Sequence, residues 1–190
     1  MFNQTFNTSD RTLQYIVLEY LRGERDQSLV SGDIIHWAEE KLMEGSDSVY
    51  ICYLAAYTYA EAVEKKTAFW LHFTKALQEL NLTIPNLSVP EARTQYACAV
   101  CRDLLAGLYE KREALEILYE IWLEDRYDKP ENQIQGNYFN IWMYISDSLS
   151  VMADGYEALP PCKGLTPENY DIYFRTTAQE FVDRYSQAEL

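Results

Sequence analysis

The sequence predicts an all-α fold of seven or eight antiparallel helices, packed either as a bundle or as an irregular α-α solenoid. Apolar residues recur at helical spacing along almost the whole 190-residue chain, and no stretch alternates as a strand would. The helical stretches follow one another closely, which favours antiparallel neighbours. At this length we expect a single domain over 1–190, or two closely packed halves, with a break at the loop 155–165.

Four helices are predicted in the first half of the chain. The first covers about 10–22, where the apolar spacing is regular and Gly23 suits the C-terminal cap. The second covers 31–45. The third begins near Asp47 and is apolar on nearly all sides, as expected for a central buried helix. The fourth carries an apolar stripe of large side chains, namely Phe69, Trp70, Phe73, Leu77 and Leu80.

The second half also predicts four helices. Ser88 and Glu91 have the S-x-x-E spacing of a capping box, so the fifth helix begins there. The sixth covers about 112–126, and the seventh covers about 138–152. The last helix opens after the loop 155–165 with Pro167 at its first position, where proline is well tolerated.

The charge balance limits the classes of partner. Thirty acidic residues oppose 16 basic ones, for a net charge of −14. We therefore expect no binding to nucleic acid, which requires clustered cations, and none to an anionic membrane surface. A basic protein is the expected partner. The first ten residues show no signal peptide and 49–60 is too short to span a bilayer, so we expect a cytoplasmic protein with free thiols.

The sequence contains residues typical of catalysis or metal binding, but not the further residues that complete such sites. Cys98-x-x-Cys101 lies in the middle of a helix among apolar residues, and we interpret the pair as buried thiols. Asp33-x-x-His36 lacks the second such unit that a di-iron bundle needs. We predict no catalytic residue, no metal and no cofactor, so an enzyme is the less favoured class. One alternative stays open, a helical enzyme or metal protein that uses carboxylates with His36 or His72.

The sixth predicted helix carries the most unusual polar pattern. Glu116, Glu120 and Glu124 are four residues apart and share one face, although like charges at this spacing cost about 0.2–0.5 kcal/mol per pair. The face is therefore either plain solvated surface or a site for a basic partner, and tyrosine is a common interface anchor. The predicted partner-binding residues are Glu113, Glu116, Glu120, Glu124, Asp125, Asp128, Tyr119 and Tyr127.

Two segments resemble known helical families. The segment 105–132 (LAGLYEKREALEILYEIWLEDRYDKPEN) resembles one tetratricopeptide unit at its small, aromatic and proline positions, which are Gly107, Tyr109, Ala114, Leu115, Tyr119 and Pro130. This resemblance implies packing in helix pairs and suggests a peptide-binding adaptor as a further alternative. The segment 32–56 resembles helix pairs of small bacterial proteins, including immunity proteins of toxin systems, through Trp37-Ala38 and Leu54-Ala55. These are packing residues, so this resemblance implies a helical fold.

The sequence thus favours a non-enzymatic protein-binding module with an acidic, tyrosine-bearing surface. In its sharpest form, this hypothesis describes an immunity-type inhibitor of a basic toxin such as a nuclease. Its carboxylates would imitate phosphates and block the toxin's cationic active site.

Overall fold

The computed structural model describes residues 10–134 and 138–187, and all regular structure in those ranges is helical, which confirms the all-α prediction. Three 3₁₀ turns, at Pro130–Asn132, Tyr138–Asn140 and Pro160–Cys162, lie between the α-helices. None of the helices in these ranges combines the length and apolarity needed to cross a bilayer. The α-helices of the described chain are α1 Arg11–Arg22, α2 Ser31–Met43, α3 Val49–Ala55, α4 Tyr59–Glu64, α5 Lys66–Glu79, α6 Val89–Ala106, α7 Lys111–Tyr127, α8 Ile141–Ala153 and α9 Tyr170–Gln187.

The described chain has nine α-helices because the region after Asp47 contains a short helix, α4, that the sequence pattern does not predict as a separate helix. The Thr58 side chain accepts a hydrogen bond from the amide of Glu61, and the Glu61 carboxylate accepts one from the amide of Thr58. This T-x-x-E capping box starts a new helix directly after α3. The start of α4 could not be predicted because apolar residues continue across 49–60.

The chain divides into two compact units with the boundary between Ala92 and Arg93. The expectation of a single domain stays a prediction. In the first unit α2 packs against α1, α3 and α4, and α5 packs against α3 and α4. Trp37 of α2 is fully buried and meets Phe73 edge to face, with ring centroids 5.7 Å apart. Its indole N–H donates to Asp10, which also accepts from the amide of Leu13 and so caps α1.

In the second unit α8 packs against α7, and its Trp142 is fully buried. The Trp142 ring lies 5.9 Å from Phe174 and 5.2 Å from Phe181, both on α9. Arg175 of α9 donates hydrogen bonds to the carbonyl oxygens of Leu104 and Leu105 at 3.1 and 3.4 Å. This contact holds α9 against the C-terminal end of α6 and provides partners for carbonyls that a helix end leaves open.

The last helix begins later than the sequence predicts. Its first regular residue is Tyr170, three residues after Pro167. Residues 166–169 form a turn instead, in which the Thr166 amide donates to the Asn169 side chain and the Asn169 amide donates to the Thr166 hydroxyl. The reciprocal bonds close the turn ahead of the helix.

The predicted start of the fifth helix is confirmed as the start of α6. Ser88 and Glu91 form the reciprocal contact, with the Ser88 amide 2.8 Å from the Glu91 carboxylate and the Glu91 amide 3.5 Å from the Ser88 hydroxyl. Two backbone N–H groups that the first helical turn cannot pair internally are thereby satisfied.

Replacing Ser88 tests this cap. We expect Ser88→Ala to lower the free energy of unfolding by about 1 kcal/mol, because the Glu91 amide loses its acceptor. Ser88→Thr keeps a hydroxyl acceptor and serves as the control, so it should cost only a few tenths of a kcal/mol. Urea unfolding followed by circular dichroism measures both, and equal losses in the two variants would show that the cap contributes nothing specific.

Candidate functional site

The helix α7 carries four glutamates along one solvent-exposed face. Glu113, Glu116, Glu120 and Glu124 are three or four residues apart, and all four are exposed. We call these four residues the acidic face. At 1.5 Å per residue they span about 16 Å of helix axis. The opposite side of the helix packs into the second unit through four buried apolar residues, Ala114, Leu115, Leu118 and Ile121.

An exposed arginine pairs with one glutamate of the acidic face. Arg112 donates to Glu116 at 2.8 Å, but the two side chains are 91% and 62% exposed, so water screens the pair. An exposed pair of this kind is worth about 0–1 kcal/mol at most. The ion pair between Arg112 and Glu116 is therefore too weak to offset the mutual repulsion of the glutamates.

The two predicted tyrosines have different environments. Tyr127 is 82% exposed at the C-terminal end of the acidic face. Tyr119 is half-buried, with its ring 5.5 Å from that of Trp122. Leu123 lies between Glu120 and Tyr127 and is partly exposed. The surface beside the glutamates thus offers an aromatic ring and an aliphatic side chain to a partner.

Asp125 and Asp128, which are also predicted to bind a partner, form ion pairs with a buried arginine, and their contact with a partner stays a prediction. Both carboxylates bind Arg93 of α6, whose side chain is fully buried. One guanidinium nitrogen lies 2.8 Å from Asp125 and the other 2.6 Å from Asp128. A buried cation requires counterions, and these two carboxylates supply them. Asp125 follows Glu124 directly, but one helical residue turns its side chain by about 100°, toward the interior.

The same carboxylates organise the segment that follows α7. Arg93 also donates to the carbonyl of Asn132 at 2.7 Å, and Asp125 accepts from the amide of Ile134 at 2.8 Å. Asp128 accepts from the Lys129 amide and from the Asn132 side chain. We call Arg93, Asp125, Asp128 and Asn132 the Arg93 network. It closes the end of α7 with charge-assisted hydrogen bonds, which are the stronger kind.

The network shifts the ionisation of Asp128. Partial burial alone would raise the pKa of its carboxyl group. The hydrogen bonds from Arg93, from the Lys129 amide and from Asn132, together with the Arg93 charge, outweigh that effect and lower the pKa below the usual 3.8.

Sequence reasoning missed Arg93, although the sequence holds a signal. The buried residues Ala97, Val100 and Leu104 form a stripe on α6, and Arg93 is one helical turn before it on the same face. A charged residue in line with an apolar stripe points to a buried ion pair, but the pattern does not say which acids complete it.

The two histidines lie in separate environments of the first unit. His36 is on an exposed face of α2, with its ring nitrogens 3.8 Å from Glu39 and 3.5 Å from Glu40. His72 is surrounded by aromatic rings, with centroid distances of 6.2, 5.0 and 6.0 Å to Tyr50, Tyr53 and Tyr57. Within 10–134 and 138–187, no three His, Cys, Asp or Glu side chains are grouped so that they could hold a metal ion.

The cysteine pair of α6 is buried. Cys98 and Cys101 are both free thiols. Burial raises the pKa of the Cys101 thiol well above its usual value, and the neighbouring Cys98 adds to the effect. A buried thiol of raised pKa stays protonated and is a poor nucleophile.

Comparisons of the chain with protein-family models, with curated proteins and with solved structures find no match.

Removing the buried guanidinium tests the Arg93 network. We expect Arg93→Met to lower the free energy of unfolding by about 3–5 kcal/mol, because two carboxylates lose their cation. Arg112→Met is the control, since it removes an exposed ion pair and should cost no more than about 1 kcal/mol. Urea unfolding measures both variants, and similar losses would contradict a special role for Arg93.

The lowered pKa of Asp128 gives a pH dependence with a definite sign. Its stabilising effect is complete above the unfolded-state pKa, near 3.8, and is lost as the pH falls through the lower folded-state pKa. The difference in unfolding free energy between the wild type and Asp128→Asn should stay constant down to about pH 5 and shrink below it. Unfolding curves at a series of pH values measure this difference, and a difference that grows on acidification would contradict the assignment.

Proposed function

We propose that the protein is a non-enzymatic binding module that binds a basic protein partner through the acidic face of α7. One observation carries the proposal: four exposed glutamates stand in line on a rigid helix, beside the exposed ring of Tyr127. A helix packed into the core on its other side keeps this row of charges in a fixed arrangement. A fixed row of like charges is suited to meeting a complementary row.

The energetics of the helix support a role outside folding. Each pair of glutamates at this spacing opposes helix stability by about 0.2–0.5 kcal/mol. Glu124 is also close to the C-terminal end of α7, where the helix dipole disfavours negative charge. A partner that brings lysines or arginines would remove this repulsion. The net charge of −14 would in addition attract such a partner over a distance and speed association.

The sharpest form of the proposal is an inhibitor of a toxin that acts on nucleic acid, as immunity proteins are. The glutamates are spaced at about one charge per 5 Å of helix axis, and a nucleic acid strand carries one phosphate per about 3.4 Å. The row of glutamates is therefore less densely charged than a nucleic acid strand, although its spacing is of the same order. A cationic active site built for phosphates would accept it as a substitute.

Charge reversal tests the proposal. We expect Glu116→Lys combined with Glu120→Lys to weaken binding of the partner about tenfold, mainly through slower association. The melting temperature should not fall, because both side chains are exposed. The partner is first captured from a lysate of the protein's own cells with tagged protein, washed at low and high salt, and identified by mass spectrometry. Binding of that purified partner is then measured with each variant.

The matched control is Glu39→Lys combined with Glu64→Lys, which changes the net charge equally at two exposed sites of the first unit. It should bind almost as well as the wild type. Undiminished binding by the α7 variant would show that the acidic face is merely solvated surface. Equal weakening by both variants would assign the effect to net charge and not to this face. A partner that stays bound at high salt would favour the peptide-binding adaptor.

A further inference from the structure

The connection between α8 and α9 encloses a second candidate site. Residues 154–169 fold around an open cleft of about 740 Å³, within the range of roughly 300–1,000 Å³ that is common for ligand sites. Apolar side chains line much of it, among them Met152, Pro160 and Pro167. Tyr156 also lines the cleft, and its side chain is 72% exposed.

This connection is held in place by hydrogen bonds. The Tyr156 amide donates to a carbonyl in the last turn of α8, and the Leu159 amide donates to the Ser148 hydroxyl at 3.1 Å. At the other end the Asn169 side chain donates to the carbonyl of Gly164 at 2.7 Å. Long connections with little regular structure are usually either functional or disordered. The hydrogen bonds give this one a defined shape, as a binding site requires.

The charges around the cleft favour a cation. Among the described residues of the lining, two are acidic, Glu157 and Glu168, and one is basic, Lys163. The Glu168 carboxylate accepts hydrogen bonds from its own amide and from the Thr166 hydroxyl, which lower its pKa and keep it ionised. The lining also includes Gly155, two residues after the last residue of α8, and helix C-termini carry a partial negative charge. The ring of Tyr156 adds an electron-rich face that attracts cations.

We propose that this cleft binds one arginine or lysine side chain from an extended segment of the basic partner. The aliphatic stem of that side chain would lie against Tyr156 and the prolines, and its charge would pair with Glu157. The inference rests on the proposed function, because it assigns a second contact to the same partner. Lys111, the first residue of α7, pairs with Asp171 of α9 at 3.2 Å. This ion pair joins α7 to α9, the helix that follows the cleft segment.

A pair of small probes tests the charge preference. The tripeptide amide acetyl-Leu-Arg-Leu-NH₂ is titrated into ¹⁵N-labelled protein, and acetyl-Leu-Glu-Leu-NH₂ serves as the matched anion. We expect the arginine probe to shift the amide signals of Gly155 and Gly164 in a saturable way, and the glutamate probe to leave them unmoved. Shifts by the glutamate probe alone, by both probes equally, or by neither at millimolar concentration would overturn the proposal.

Two charge reversals within the cleft sharpen the test. Glu157→Lys should weaken binding of the arginine probe about threefold or more, and Lys163→Glu should strengthen it by a similar factor. An anionic occupant would require the opposite signs. Glu131→Lys is the control, since Glu131 is exposed and lies outside the cleft lining, and it should change the affinity little.

The proposal for the cleft and the proposal for the acidic face can be contradicted independently of each other. If the arginine probe occupies the cleft but partner binding survives reversal of Glu116 and Glu120, the proposed function is wrong and the cleft site stands. If reversal of the acidic face abolishes partner binding while the arginine probe leaves Gly155 and Gly164 unmoved, the cleft site is wrong and the proposed function stands.

Discussion

The ion network around Arg93 sets how α7 presents its charges. A guanidinium with no solvent exposure must be paired, and Arg93 is paired by Asp125, Asp128 and a backbone carbonyl. The inward position of Asp125 fixes the rotation of α7 about its axis. The Cα–Cβ bonds of a helix have fixed angles to one another, so the direction of one residue sets the directions of all the others. Glu113, Glu116, Glu120 and Glu124 must then point outward. The interaction that closes the core at the end of α7 therefore also orders the acidic face.

The carboxylates of α7 thus divide into two kinds with different physical roles. Asp125 is buried and accepts defined hydrogen bonds, so it belongs to the folded structure. The glutamates are exposed, and their fields extend into solvent over about 8 Å at physiological ionic strength. Since neighbouring glutamates are about 5 Å apart along the axis, their fields overlap. A basic partner would meet them as one continuous negative strip.

Local signals in the sequence predicted much of the fold and little of the ion pairing. The start of α6 follows from Ser88 and Glu91, which are three residues apart, and the all-α class follows from periodicity alone. The row of glutamates is equally local, because their spacing places them on one face. Arg93 and Asp125 are 32 residues apart, and no periodic pattern joins them. The cleft was missed for a related reason, since its shape depends on hydrogen bonds between side chains and backbone in an irregular segment.

The acidic face and the cleft would contribute differently to recognition. A row of exposed charges attracts any basic surface, so it speeds encounter but discriminates poorly between partners. Discrimination needs short-range contacts that only one geometry satisfies, and these govern how slowly a complex dissociates. The exposed ring of Tyr156 in a cleft held by Ser148 and Asn169 has the properties of such a contact. A partner that engages both would bind fast because of the glutamates and stay bound because of the cleft. Loss of the acidic face would then mainly slow association, and loss of the cleft would mainly hasten dissociation.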